Sequence, residues 1–117
     1  MEEHGIFMST KIPDFQKEQY QHALAKNLPL LRAKLDLSQE EVAGLVGTSR
    51  QTISLIERGT REMMWDTCMS LTFLFVANSE TRNLMPPLGI DINMIMNYLN
   101  VSNQKSEELV EGGNRQP

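Results

Sequence analysis

The sequence predicts an all-α fold of four to six helices around one core. Three observations carry that expectation. Apolar residues recur at three- and four-residue spacing in successive segments, as in Leu28/Leu31/Leu35 and Cys68/Leu71/Phe75. Helix-starting serines and helix-ending glycines punctuate the middle of the chain at Ser38, Gly47, Ser49 and Gly59. The chain has 117 residues, 40% apolar and 22% charged, which is one domain's length at the composition of a folded protein.

Residues 1–13 read as a polar, flexible leader. Pro13-Asp14 suits a helix start, and Phe15, Gln19, His22 and Ala23 would then share one face, with His22 a surface residue. Pro29 lacks the amide proton and crowds the preceding turn, so a break or kink is expected near Asn27–Leu28. The next helix would run through Leu35 with Leu28, Leu31 and Leu35 as its buried stripe. Leu37-Ser38-Gln39-Glu40-Glu41 is the strongest local signal. The Ser38 hydroxyl can accept from the first turn, and Glu41, three residues on, can return to the Ser38 amide. That helix would turn Val42, Ala43 and Val46 inward and stop at Gly47, since glycine tolerates the positive φ that ends helices. Ser49 caps another helix, Arg50–Arg58, with Ile53 and Ile56 on its apolar face and Gly59 closing it. Two short helices joined by a glycine-containing turn, the second polar outside, describe a helix-turn-helix. Ala43 is small where the two would cross, and the isoleucines would fill the wedge between them. Arg50, Gln51, Thr52 and Ser54 are left pointing outward.

On these residues, Leu31-Arg32, Leu37-Ser38-Gln39-Glu40-Glu41-Val42-Ala43, Val46-Gly47-Thr48-Ser49-Arg50-Gln51-Thr52-Ile53-Ser54 and Ile56-Glu57-Arg58-Gly59, the chain resembles the lambda repressor/Cro-like (XRE-type) helix-turn-helix family. The resemblance covers about residues 24–76. Trp65-Asp66-Thr67 with Leu71 looks like that family's fourth helix, and Leu88-Gly89-Ile90-Asp91 like the start of its fifth. The expected organisation is one helical domain over residues 14–100, with the lambda-repressor-like DNA-binding core at about 24–76 and additional C-terminal helices over 77–100, followed by a flexible, acidic tail over 101–117.

The same resemblance implies roles. Gln39 and the amino end of its helix would hold a phosphate. Arg50 and Gln51 fall on the main base-reading positions, where arginine suits guanine O6/N7 and glutamine suits adenine N6/N7. Thr48 and Ser49 lie beside them at the tip of the reading helix. Thr52 and Ser54 would touch phosphate or a thymine methyl, and Arg58, Thr60 and Arg61 would grip the backbone. Arg32 and Glu57 match a family ion pair that fixes the reading angle. Two departures stand out. Leu55 occupies a position where family members often carry a polar base reader; leucine there can touch a thymine methyl or protein, but cannot hydrogen-bond. Val76–Pro87 is an insertion, with Asn78 or Ser79 expected to cap a short extra helix through Leu84 that Pro86-Pro87 ends.

Charge and residue inventory bound the function. The net charge is −4, but residues 22–62 hold six basic and five acidic side chains, leaving −5 elsewhere. A value of +1 is small for a DNA reader, so phosphate affinity would rest on a local patch and on dimerisation. No apolar stretch approaches the roughly 20 residues of a membrane span, and the amino terminus is acidic where a secretory signal is basic. One cysteine, Cys68, excludes an internal disulfide and a cysteine-rich zinc site and fits a reducing cytoplasm. Its apolar spacing makes it a packed residue rather than a reactive one. Two histidines leave too few good ligands for a structural metal. No catalytic triad, phosphate-cradling loop or carboxylate pair in an evident pocket is present, so neither an enzyme nor a cofactor is expected.

Met63, Met64, Trp65 and Met69 read as further core candidates. Leu74, Met85, Leu88, Ile90, Met94, Ile95 and Leu99 exceed what a small core needs and would supply a homodimer face. The expected function is a dimeric, sequence-specific regulator binding double-stranded DNA. The alternatives are an antitoxin whose appended segment binds a toxin, and an interaction module that has lost DNA reading.

Overall fold

Tyr20, Leu24, Leu28 and Leu31 lie four, four and three residues apart, one stripe of a helix, and all four are buried. A computed structural model describes residues 11–102 and places this stripe on α1, Asp14–Lys34. Residues 1–10 and 103–117, most of the expected leader and tail, lie outside the described residues. Ile12 packs against the core, and Pro13 sits at the N-cap of α1.

The break expected at Asn27–Leu28 does not occur: α1 runs through Pro29 for 21 residues. Leu24, Leu28 and Leu31, each fully buried, straddle the proline. At about 2 kcal/mol apiece their burial outweighs the roughly 3 kcal/mol an internal proline costs. Pro29 itself is exposed, on the side where water can solvate the carbonyl that lost its amide donor. Phe15, Gln19 and His22 share an outward face, with Phe15 60% exposed; Tyr20, not predicted, supplies the inward contact.

Asp36, at φ 56°, ends α1 in the left-handed region. The Leu37 amide donates to Arg32 O and the Asp36 amide to Ala33 O, so two terminal carbonyls are satisfied in a Schellman arrangement. The chain then enters α2, Gln39–Val46, and α3, Arg50–Glu57. Val42, Ala43, Ile53 and Ile56 are buried between these helices and the rest of the core.

The helix α4, Trp65–Ala77, packs across α1 and α2. It buries Cys68, Leu71, Thr72 and Phe75. Tyr20 Oη lies 2.9 Å from Thr72 Oγ1, and its ring meets Trp65 edge-on at 6.3 Å between centroids. Burial pushes the Tyr20 phenol and the Cys68 thiol each up to about 12, keeping both neutral and the thiol unreactive. Met64 departs from the core reading: it is 62% exposed, because it stands outside the first turn of α4 as its N-cap residue.

The insertion forms α5, Ser79–Arg82, shorter than expected, followed by turns to Gly89. Neither candidate side chain caps it. Asn78 Nδ2 instead donates back to Leu74 O at 2.9 Å, and buried Thr81 donates to Phe75 O at 2.6 Å. These bonds serve carbonyls of the last turn of α4 that lack a helical amide partner. Asp91 caps α6, Ile92–Leu99, accepting from the Asn93 amide at 3.0 Å. Of the predicted dimer face, Met85, Ile90 and Ile95 are buried in the protein's own core, because the insertion and α6 fold back on it. Leu74, Leu88 and Met94 are half-buried, and Leu99 is 61% exposed.

Candidate nucleic-acid interface

The centre of the candidate site is the tip of α3, and its rigidity begins with local hydrogen bonds. Ser38 Oγ accepts the Glu41 amide at 3.0 Å while Glu41 Oε1 accepts the Ser38 amide at 2.9 Å, closing the capping box on α2. Gly47, at φ 80°, ends α2 by donating to Ala43 O. This conformation strains any residue with a Cβ. Two residues on, Ser49 Oγ accepts the Thr52 amide at 3.0 Å and starts α3. The turn between the helices is therefore set at both ends by side-chain or glycine geometry.

Packing then fixes the rod. Ile53 is fully buried and Ile56 is 2% exposed, anchoring one face of α3. Arg32 of α1 grips the carboxy-terminal end in a two-pronged bond: Nε to Glu57 Oε2 at 2.9 Å and Nη2 to Glu57 Oε1 at 3.1 Å. Arg32 Nη1 also donates to Leu37 O at 2.9 Å, so one guanidinium ties α1, the α1–α2 turn and α3 together. The Glu57 side chain is 8% exposed, and the pairing raises the Arg32 pKa further above its ordinary value. Gln39 Nε2 donates to Glu57 Oε1 at 2.9 Å, which links the start of α2 to the same carboxylate.

The structure brings the remaining candidates together around α3. Arg50 and Gln51 at its first turn are exposed, as are Ser49 and, beyond its end, Arg58, Thr60 and Arg61. Thr48, Thr52, Ser54 and Leu55 are half-buried. The chain leaves α3 through Gly59 at φ 78°, with the Thr60 amide donating to Leu55 O. That reversal carries Arg61 back toward the first turn, where Nη1 lies 3.3 Å from Thr52 Oγ1. The Gln39–Glu57 and Arg61–Thr52 contacts had no sequence signal, since both depend on turns that fold distant positions onto each other. Glu57, the one acid between Arg50 and Arg61, is neutralised by Arg32, so that segment presents the charges of Arg50, Arg58 and Arg61.

A short helix, a glycine turn and a second helix with a buried inner face and an exposed polar tip define a helix-turn-helix protein. Residues 30–62 match a family described as helix-turn-helix, of the lambda repressor (XRE) type, a family of DNA-binding domains. No curated protein and no solved structure matches the chain. Among the described residues, no helix is long and apolar enough to cross a membrane, and no group of three or more His, Cys, Asp or Glu side chains could hold a metal ion.

Proposed function

We propose that the protein is a transcription regulator that reads a specific double-stranded DNA sequence by seating α3 in the major groove. One observation carries this reading: Arg50 and Gln51 are exposed at the tip of a helix whose opposite face, Ile53 and Ile56, is locked in the core. A reading helix needs both properties, because base-edge hydrogen bonds tolerate little angular play. Arg50 would take a guanine, Gln51 an adenine, and Arg58, Thr60 and the amino end of α2 at Gln39 the flanking phosphates. Thr48, Ser49 and Ser54 lie where they would line the same groove, and half-buried Leu55 would meet a thymine methyl.

Two copies on a palindrome supply the affinity that a local charge of +1 does not. Ile92, Met96 and Leu99 recur at i, i+4 and i+7 on α6, a stripe that borders buried Ile95. Met96 and Leu99 are 56% and 61% exposed. No charged residue interrupts α6, so this face suits pairing with its own copy.

Selection from random duplexes at moderate salt tests the reading. Enrichment of one motif is expected, with Arg50→Ala and Gln51→Ala each costing about 1–3 kcal/mol and relaxing preference at one base pair. A selection that enriches nothing would exclude sequence-specific regulation.

A protein partner, such as a toxin, is favoured by one observation, Phe73 standing 73% exposed on α4. It predicts a co-purifying product of an adjacent reading frame whose association is lost in Phe73→Ser.

A further inference from the structure

Thr52 lies in the first turn of the reading helix, yet its hydroxyl is already engaged inside the protein. Its Oγ1 is 2.9 Å from Ser49 Oγ and 3.3 Å from Arg61 Nη1. A guanidinium can only donate, so Thr52 accepts from Arg61 and keeps one lone pair and its own proton for the Ser49 hydroxyl. Ser49 Oγ also accepts the Thr52 amide proton at 3.0 Å, so the two residues are joined twice. The three side chains Arg61, Thr52 and Ser49 form one hydrogen-bonded chain across the amino end of α3.

We propose that Thr52 is a positioning residue, whose hydroxyl holds the Arg61 guanidinium against the tip of α3 so that it meets a DNA phosphate at a set register. Arg61 follows the Gly59 turn on an exposed loop. An unheld arginine there would lose its side-chain freedom on binding. Among the described residues no carboxylate pairs with Arg61, so its charge is not neutralised within the fold. One Nη1 bond to a neutral hydroxyl leaves the other donors of the fork for a phosphate. Thr52 then contributes to affinity for every duplex and to preference for none, unlike its neighbours Arg50 and Gln51.

This inference rests on the DNA-binding reading, and the test separates the two. Affinities of the full chain, Thr52→Val, Thr52→Ser, Arg61→Ala and the double variant Thr52→Val/Arg61→Ala are measured on a selected duplex and on a scrambled one, over a salt series. Valine keeps the amide bond to Ser49 and the side-chain shape but removes the acceptor. Thr52→Val is expected to weaken both duplexes by the same factor, about three- to tenfold. Thr52→Ser restores binding, and the double variant binds no worse than Arg61→Ala alone. Arg61→Ala lowers the slope of log affinity against log salt by about one, and Thr52→Val moves it in the same direction. Melting temperatures check that α3 stays folded, with Thr52→Ala as a second truncation if valine disturbs it. A loss confined to the selected duplex would make Thr52 a base reader and overturn the proposal, as would losses at Thr52 and Arg61 that multiply. Wild-type protein that binds neither duplex would remove the DNA-binding reading itself, and this inference with it.

Discussion

Arg32 shows how a single side chain ties three separate elements into one rigid unit. Each nitrogen of its guanidinium donates within the protein, to Glu57 or to Leu37 O, so its charge holds the geometry of the fold. Removing it strands the Glu57 carboxylate, which is 8% exposed, beside the surface proposed to meet phosphates. Arg32→Ala is therefore expected to lower stability by about 2 kcal/mol, the scale of losing charged hydrogen bonds at a partly buried site. Chemical denaturation measures it, and an unchanged midpoint would assign Arg32 to the surface instead. Affinity for DNA should fall as well, since the end of α3 loses its anchor and Gln39 is left sharing an unpaired acid.

At the scale of elements, α1 sets packing against local propensity. Pro29 deprives the helix of one amide donor, yet α1 continues because Leu24, Leu28 and Leu31 must all reach the core from one axis. Pro29→Ala is expected to stabilise the fold by about 1–3 kcal/mol: it restores the missing bond and improves propensity, against some added freedom of the unfolded chain. Denaturation midpoints on the two proteins decide the sign. A destabilised alanine variant would mean that proline's fixed φ, not the leucine stripe, shapes this turn. The elements α2 and α3 are the opposite case, where cap, stripe and stop all agree, and the turn between them follows without help from distant contacts.

For the whole molecule the question is what covers the outer face of α6. Inward-facing Ile95 is satisfied by the core, while Met96 and Leu99, its neighbours on the same helix, stay exposed. If two copies pair there, sedimentation of wild-type protein gives a dimer. Leu99→Lys would give a monomer of unchanged helix content, which still binds one half-site but loses the gain from a palindrome. A monomeric wild type at tens of micromolar would leave that face to a different partner. Net charge bears on the same question: with −5 outside residues 22–62, non-specific attraction to DNA would be weak, and pairing would carry more of the affinity.

The helix-turn-helix was legible from the residues because its information is local. Ser38 with Glu41, Gly47, Ser49 and the isoleucines at 53 and 56 each act within one or two turns of their own positions. Spacing alone therefore placed both helices and the outward tip of the second. Tertiary structure alone decided the rest, where contacts cross long separations. The continuity of α1 through Pro29 rests on the packing of its leucine stripe. The burial of Met85, Ile90 and Ile95 depends on an insertion folding back onto α1 and α4. The joining of Thr52 to Arg61 depends on the chain reversing at Gly59. Propensity and periodicity describe one element at a time, whereas the competition for core contacts that settles these features exists only once all the helices are in place.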